Sequence, residues 1–470
     1  MEIVTCKFPA RASGGKLGCT AKICDRSETS LAFDRTMCPI DPSSAADELK
    51  VSAPDCQTDT SELIDLLSKT YLFGIGYWNG ERASRNGYLL KSNYDWKASR
   101  IGKLGNEIVT HFGIWRLQVR VGRARVWVAG IGAVAAHDYY RKRGFLRTIA
   151  NVALESLRSS DYDISLLFGI PNLYEKYGYR RAWTWLNATI ETTQISTKAV
   201  PVRVERCRSA ARADLAALYN RENANLTGTA VRPTFPLGNP FIETDAYLWK
   251  QNGEVTGFVF VGRTGTPFDV RSWAGDPEAI LAVIKRLAMA RGVSTVRFQW
   301  IHYLSKLSRF LRRQNCELKS EYRSSGGPLV RMISLERFVT RLRPELEDRL
   351  KKSYLSAWRG DVLLESGDEA VTLRIDHGKI EIAAAGSAPN SISGGEAVAQ
   401  LLFGTDNPYE IVDEDENEAP GEDGHGLHFT DYPLRLPVEP GSDVLHDLLK
   451  RARIRGLGNI SNMRSGQHIR

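Results

Sequence analysis

A cluster of cationic residues surrounds a glycine at the start of an apolar helical segment. The stretch RKRGFLR contains Arg141, Lys142, Arg143 and Arg147 around Gly144. The first amides of a helix have no intrahelical partner and lie at the positive end of the helix dipole, so they bind anions. Arginine binds phosphate in bidentate fashion, and glycine lets the backbone approach closely. The stretch is therefore a candidate pyrophosphate site, although a solvated basic turn would have the same composition.

The segments on either side of this stretch predict how it is positioned. Residues 125–136 are almost wholly apolar, which is typical of a strand covered on both faces. Apolar residues recur at helical spacing after the glycine, and residues 163–169 and 179–189 are predicted as two further strands. Upstream, a helix capped by Ser61 and a strand beginning at His111 are predicted from their periods. The cationic stretch is thus predicted to connect a buried strand to a helix.

A second motif follows the glycine thirty residues later. The loop has the form Arg141-x-x-Gly144, and the later segment contains Tyr174-x-x-x-Gly178-Tyr179. At this spacing the two motifs resemble the GNAT (GCN5-related N-acetyltransferase) superfamily, whose pattern is an apolar strand, an R/Q-x-x-G-x-G/A loop, a helix, a strand and Y-x-x-x-G-F/Y. The resemblance implies an acetyl-CoA-dependent N-acetyltransferase that transfers an acetyl group to a primary amine by direct attack.

The resemblance also implies roles for individual residues. Backbone groups of Val134 and Ala136 would bind the pantetheine arm of acetyl-CoA, and amides of the loop would bind its pyrophosphate. Tyr174 would be the general acid that protonates the leaving thiolate, since a phenol with an ordinary pKa near 10 is protonated at neutral pH. The predicted cofactor-binding residues are Val134, Ala136, Arg141, Lys142, Arg143, Gly144, Phe145, Leu146 and Arg147. No metal is implied.

The loop departs from the common pattern at two positions. Leu146 stands at the final small-residue position, and Asp138 stands where many relatives have proline. The first departure resembles the R-R-R-G-x-L loop of the Eis-type (enhanced intracellular survival) branch, whose members join a GNAT domain, a degenerate GNAT domain and a sterol-carrier-like domain. In these relatives, which form oligomers, the C-terminal carboxylate can be the general base. Here a basic segment continues to Arg470, so the role of the C-terminal carboxylate is not carried over and the general base is unassigned. The resemblance leaves open whether the chain forms a homo-oligomer.

The predicted fold class is α/β of mixed α+β type, with tandem GNAT-like domains followed by a sterol-carrier-like α+β domain. Residues 196–336 repeat the order of elements of the first domain without its loop, which indicates a duplicated domain. The predicted segments are a poorly ordered cysteine-containing extension (1–58), a catalytic GNAT domain (59–195), a degenerate GNAT-like domain (196–336), a sterol-carrier-like domain (337–447) with an acidic loop (413–425), and a C-terminal extension (448–470). A misassigned start codon is an alternative explanation of the first segment.

The composition predicts a folded protein that does not cross a membrane. Of 470 residues, 42% are hydrophobic and 25% are charged. No apolar run approaches the ~18 residues that a membrane-spanning helix needs. The first residues lack the apolar core of a secretory signal, so a cytoplasmic location is predicted. Five of the seven cysteines lie in the first 56 residues without a CxxC pair. This pattern predicts reduced thiols rather than a zinc site.

Two other functions are compatible with the sequence. The net charge of +8 permits nucleic-acid binding, but no basic block is interleaved with aromatic residues, which disfavours it. A non-catalytic CoA- or lipid-binding module would keep the loop and lose the chemistry. The acceptor, an amine of a small molecule or a peptide, has no signature in the sequence. His137, Tyr139, Tyr140 and Tyr177 are interpreted as structural residues, and the tryptophans as core residues or walls of an acceptor cleft.

Overall fold

The structure of the chain is a computed structural model that describes most of the first 403 residues. The described ranges are 49–75, 88–183, 185–198, 203–207, 211–233, 235–236, 244–262, 267–321, 326–353, 355–394, 397–403 and 428–429. The predicted acidic loop, the C-terminal extension and residues 1–48 of the predicted N-terminal extension lie outside these ranges. Among the described helices, none has the length and hydropathy to span a bilayer.

The first sheet carries the candidate loop. Its seven strands are β1 (Lys50–Ser52), β2 (Arg100–Leu104), β3 (Glu107–Val121), β4 (Ala124–Ala136), β5 (Ile164–Gly169), β6 (Arg180–Arg181) and β16 (Gly327–Met332), in the order β1-β2-β3-β4-β5-β16-β6. Only the β4–β5 pair is parallel. Helix α1 (Thr60–Ile75) packs on β3 and β4, and α2 (Phe145–Arg158) packs on β2, β3 and β4. The apolar stripe predicted after the glycine is therefore the buried face of α2.

The second sheet has the same order of strands. Its members are β7 (Trp185–Glu191), β8 (Val204–Arg206), β11 (Thr244–Gln251), β12 (Glu254–Gly262), β13 (Phe268–Ala274), β14 (Thr295–Ile301) and β15 (Glu317–Glu321), in the order β15-β7-β14-β13-β12-β11-β8. β13 and β14 are the parallel pair. The helices are α3 (Ala213–Glu222), α4 (Pro277–Ala290) and α5 (Lys306–Leu311), and β9 (Ala211–Arg212) pairs with β10 (Phe235–Pro236). The tandem GNAT-like architecture is thus present as two sheets of matching order.

The two sheets exchange one strand each. β7 follows β6 along the chain but lies between β14 and β15 of the second sheet. β16 follows β15 but lies between β5 and β6 of the first sheet. The single strand predicted over residues 179–189 is therefore wrong, because this segment forms two strands that belong to different sheets. The alternation of apolar and polar residues in a sequence indicates which face of a strand is buried, but it does not indicate which sheet the strand joins.

The first sheet begins earlier than the sequence predicted. β1 pairs with β2 in an antiparallel register that places Lys50 opposite Lys103. The Lys103 ammonium also donates to the Asp59 carboxylate at 2.7 Å. Residues 49–58 are therefore part of the fold, which corrects the C-terminal limit of the predicted extension. A three-residue strand with mostly exposed side chains leaves no detectable apolar alternation in the sequence.

A third unit packs on the first sheet. Its strands are β17 (Arg359–Ser366), β18 (Glu369–Asp376), β19 (Lys379–Ala384), β20 (Asn390–Ser393) and β21 (His428–Phe429), in the order β19-β18-β17-β20-β21, with helices α6 (Leu335–Lys351) and α7 (Ala397–Phe403). One core continues from Val126 and Val128 on β4 through Phe338 on α6 to Val371 on β18. The likeness of this unit to sterol-carrier domains stays a prediction.

We expect truncation of a residue on the exchanged strand β16 to destabilise the first sheet. Leu329 is 2% exposed and packs in the core between α2 and this sheet. Leu329→Ala should lower the free energy of unfolding by about 2–5 kcal/mol, measured by denaturant titration, and should accelerate amide hydrogen exchange in β5. Met289→Ala is the matched control, because Met289 is 65% exposed on α4. Unchanged exchange in β5 would contradict the assignment of β16 to the first sheet.

Candidate functional site

A gap opens between β4 and β5 in the first sheet. The two parallel strands pair only where residues 128–130 meet residues 164–166. Beyond this point β4 continues to Ala136 and β5 continues to Gly169 without further pairing between them. The strand that the sequence predicted to precede the cationic loop therefore separates from its neighbour over its last six residues.

A bulge on β4 accompanies this separation. The register places His111 of β3 opposite Ala135 and Gly113 opposite Gly132, so β4 has one extra residue between these pairs. Ala133 lies in this interval with a φ of 49°, in the left-handed region that residues other than glycine rarely adopt. A bulge increases the local twist of a strand and redirects it. The bulge thus accounts for the departure of β4 from β5.

A buried histidine holds the bulge in place. The Nδ1 of His111 lies 2.7 Å from the carbonyl oxygen of Ala133, and its Nε2 lies 2.8 Å from the Tyr94 hydroxyl. Since a carbonyl only accepts, Nδ1 carries the proton and Nε2 accepts from Tyr94. Burial lowers the pKa of His111 to about 4, so the ring is neutral at pH 7. No spacing in the sequence connects this histidine with Tyr94, and sequence analysis missed the pair.

The backbone beyond the bulge presents alternate residues to the gap. The amide of His137 donates to Val109 on β3, and the carbonyl of Ala135 accepts from the Thr110 hydroxyl. Because peptide groups alternate between the two edges of a strand, those of Val134 and Ala136 face the gap. The carbonyl of Val134 accepts a hydrogen bond of 2.6 Å from the Tyr71 hydroxyl of α1. The two residues expected to bind pantetheine are thus on the expected edge of β4, and Tyr71 is an additional residue there.

The cationic loop leads into an open helix terminus. Gly144 immediately precedes α2 with a φ of 86°. Because glycine has no side chain, no side-chain group at this position caps the first amides of the helix. A Cβ at this position would meet no atom within 4 Å, so the backbone conformation, and not space, requires glycine. Arg141, Lys142, Arg143 and Arg147 are exposed, and Arg141 pairs with Asp138 at 2.5 Å. Exposed cations around an uncapped helix N-terminus fit a pyrophosphate.

The hydrophobic residues of the loop anchor it to the protein. Leu146 is half-buried and packs against the core between α2 and the sheet. Phe145 lies beside the Arg143 guanidinium, which is 5.3 Å from the centre of the ring. The leucine at the small-residue position of the loop therefore packs against the core beside the helix terminus.

The equivalent helix of the second sheet has a closed terminus. α4 follows β13 after two residues, and the Asp276 side chain accepts from the amide of Ala279 at 3.0 Å. Pro277 stands at the first helical turn, where its missing N–H costs nothing. A carboxylate of the protein itself thus occupies the position that an external phosphate would need.

Tyr174 lies on the β5 side of the gap. It is 9% exposed and packs edge to face on Tyr179, with ring centres 6.1 Å apart. A Cβ added to Gly169 would lie 2.7 Å from the Cδ2 of Tyr174, so glycine at the end of β5 lets the ring approach the strand. The Tyr179 hydroxyl bonds to the Ser165 hydroxyl at 2.6 Å inside the core. The motif Tyr174 to Tyr179 therefore contains one residue beside the gap and one that anchors it.

The remaining candidates have structural positions. His137 caps the short turn Asp138–Tyr140, and burial raises the pKa of Tyr177. Cys56 and Cys316 are free thiols, and Cys6, Cys19, Cys24 and Cys38 lie outside the described residues. Within the described ranges, no three His, Cys, Asp or Glu side chains are grouped as metal ligands would be.

Residues 60–182 match the family model described as the acetyltransferase (GNAT) domain. The GCN5-related N-acetyltransferase from Kribbella flavida is similar in fold, with a TM-score of 0.59 and 18% identity over 86% of this chain and 96% of that chain. The GCN5-related N-acetyltransferase from Anabaena variabilis has a TM-score of 0.58 and 18% identity over 77% of this chain and 92% of its own. Eis1 from Mycobacterium abscessus has a TM-score of 0.51 and 12% identity over 77% of this chain and 91% of its own. No curated protein matches.

The buried histidine predicts a loss of stability in mild acid. The folded-state pKa of His111, about 4, lies below the ordinary value near 6.5, so its contribution is present above pH 6.5 and is lost as the pH falls toward 4. Between pH 6.5 and 5 this amounts to roughly 2 kcal/mol, at about 1.4 kcal/mol per pH unit. His111→Gln should be less stable than the native chain at pH 7.5 and should show a shallower loss on acidification, measured by urea unfolding.

A control separates this effect from general acid sensitivity. His137→Gln changes a histidine that is only half-buried, and it should keep the pH dependence of the native chain. Equal slopes for His111→Gln and the native chain would show that His111 is not buried in the neutral form.

Proposed function

We propose that this chain, whose residues 60–182 match the acetyltransferase (GNAT) domain, uses acetyl-CoA to acetylate a primary amine of a small molecule or a peptide by direct attack. The observation that supports the proposal most is the juxtaposition of three features. The gap between β4 and β5 has backbone groups along one wall, an open helix terminus with exposed cations at the end of that wall, and Tyr174 beside the opposite wall.

The loop would bind the phosphates of the co-substrate. The amides that begin α2 and the side chains of Lys142, Arg143 and Arg147 provide donors and positive charge on one exposed surface. Arg141 already pairs with Asp138, so part of its charge is neutralised within the protein. Charge-assisted hydrogen bonds to phosphate are about twice as strong as neutral ones, and their number sets the affinity.

The gap would hold the thioester. The peptide groups of Val134 and Ala136 face it, and N–H groups fixed in this direction can stabilise the negative charge that develops on the carbonyl oxygen. Bound acetyl-CoA supplies the acetyl group on sulfur. The amine forms the new C–N bond, the C–S bond breaks, and Tyr174 donates its proton to the sulfur. The proton lost by the amine requires a base, which stays unassigned among the described residues.

A direct assay tests this function. Thiol release from acetyl-CoA is followed with a panel of small amines and amine-bearing peptides, and the acetylated product is identified by mass spectrometry. Amine-dependent thiol release supports the proposal. Binding of acetyl-CoA without turnover would favour a non-catalytic binding module, and absence of both would exclude the loop as a CoA site. Salt-sensitive binding to duplex DNA without acetyl-CoA affinity would favour a nucleic-acid function instead.

Removal of the phenol hydroxyl should slow the reaction without weakening cofactor binding. We expect Tyr174→Phe to lower kcat by about 10²–10⁴-fold with little change in KM for acetyl-CoA, because proton donation acts only in the transition state. Tyr139→Phe is the control, since Tyr139 is 52% exposed outside the gap. Equal kcat values for Tyr174→Phe and the native enzyme would remove Tyr174 from the role of acid.

A methyl group at the helix terminus should weaken cofactor binding. Gly144→Ala would introduce strain at a φ of 86°, at a cost of about 1–2 kcal/mol, and the loop would change its conformation to relieve it. We expect the Kd for acetyl-CoA, measured by calorimetry, to rise about tenfold. Gly253→Ala is the matched control, with a φ of 84° and no atom within 4 Å of the added Cβ, but on a hairpin of the second sheet. Parallel changes in both variants would indicate general destabilisation.

A further inference from the structure

A cavity of about 260 Å³ lies at the corresponding gap of the second sheet. β13 and β14 pair in parallel only where residues 268–270 meet residues 296–298, and both strands continue beyond this point. The cavity is lined by the ends of both strands, by α3 and by Ile280 of α4. Its volume is close to the lower limit of ligand pockets, about 300 Å³.

The cavity has aromatic walls that come from several elements. Trp183 lies between β6 and β7, Tyr219 is on α3, and Trp300 is on β14. Phe168 of β5 lines the same space and meets Trp183 edge to face at 6.1 Å. Flat side chains of this kind favour a planar ligand, which buries a large apolar area against them.

One of these walls is held in a strained conformation. Trp300 has a φ of 57°, which is an outlier for a bulky residue. Its amide donates to the Asn187 side chain of the exchanged strand β7 at 3.1 Å, and the β14–β7 register is irregular at this point. Such strain costs of order 1–3 kcal/mol and is concentrated at functional sites. The strained backbone places Trp300 in the lining of the cavity.

The charged residues of the lining are mostly cationic. Arg232, Arg271 and Lys306 line the cavity together with the single carboxylate of Glu222, which pairs with Lys306 at 3.1 Å. Asp269, next to the lining, pairs with Arg271 at 3.0 Å. The excess of positive charge disfavours a cationic ligand and favours an anionic one.

His302, which also lines the cavity, does not add to the positive charge of the lining. The Nε2 of His302 lies 3.0 Å from the carbonyl of Thr227, and its Nδ1 accepts from the amide of Leu304 at 3.1 Å. Burial lowers the pKa of His302 to about 4, so it is neutral at pH 7.

We propose that this cavity is a binding site for a small planar aromatic carboxylate, separate from the acyl-CoA gap of the first sheet. The aromatic walls receive the ring, and the arginine side chains receive the carboxylate, whose planar geometry matches a guanidinium. The Arg232 guanidinium already lies over an aromatic ring, with its Cζ 4.6 Å from the centre of the Tyr219 ring. A second acyl-CoA does not fit this description, because Asp276 caps the adjacent helix terminus.

The test uses three probes of similar shape and different charge. Indole-3-acetate, 3-methylindole and tryptamine are titrated into the full chain by calorimetry without acetyl-CoA, so the result does not depend on any acyltransferase activity. The expected order of affinity is the anion first, then the neutral probe, then the cation, with the anion binding about tenfold or more tightly than tryptamine. Equal affinities, or no binding of the anion, would overturn the proposal.

Two variants localise the binding. Arg232→Gln and Arg271→Gln should each weaken indole-3-acetate binding about tenfold, with a smaller effect on 3-methylindole. Arg271→Gln leaves Asp269 paired with Arg297 at 2.7 Å, so the fold should tolerate it. Arg203→Gln removes an arginine that is 90% exposed outside the lining and should bind as the native chain does. Native affinity in both cavity variants, with unchanged circular dichroism, would place the probe elsewhere and refute the site.

Discussion

The exchange of strands between the two sheets is the constraint on which both clefts depend. β16 pairs with β5 over all of residues 164–169, whereas β4 pairs with β5 over only three residues. β4 in turn is paired with β3 along most of its length. Because each strand has a full partner on its outer side, the gap between them can open without leaving either strand unsupported. β7 supports β14 in the same way in the second sheet. A strand from the far end of the second domain is thus needed to keep the first cleft open.

The two sheets share this scaffold and differ where the helix follows the open strand. In the first sheet a loop of eight residues ends at Gly144, whose left-handed backbone leaves the helix terminus uncapped. In the second sheet a connection of two residues joins β13 to α4, and the carboxylate of Asp276 accepts a hydrogen bond from the first turn of that helix. A helix terminus that is satisfied internally has no remaining affinity for a phosphate. The difference between the proposed CoA cleft and the proposed small-ligand cavity therefore follows from one loop, and the strand order is the same in both.

The sequence predicted the parts of the site that are local. The loop at Gly144 and the tyrosine motif each occupy one short stretch, and their residue types follow from backbone geometry and charge. The contacts that shape the gap connect distant residues: Tyr71 with Val134, and Tyr94 with His111. Hydrophobic period identifies strands but does not pair them. The sequence could therefore predict the α/β class and the tandem order of the domains. It could not predict the exchange of β7 and β16, the bulge on β4 or the pairing of β1.

The two clefts are connected through β5. Its alternate side chains face opposite sides of the sheet, so Gly169 supports Tyr174 beside the first gap while Phe168 lines the cavity of the second sheet. Trp183, which contacts Phe168, stacks on Phe403 of α7 at 5.6 Å and so extends the connection to the third unit. The backbone of β5 is paired with β16 on one side and is not paired with β4 at this end. One strand thus borders both the gap beside Tyr174 and the cavity of the second sheet, because its successive side chains face opposite sides of the sheet.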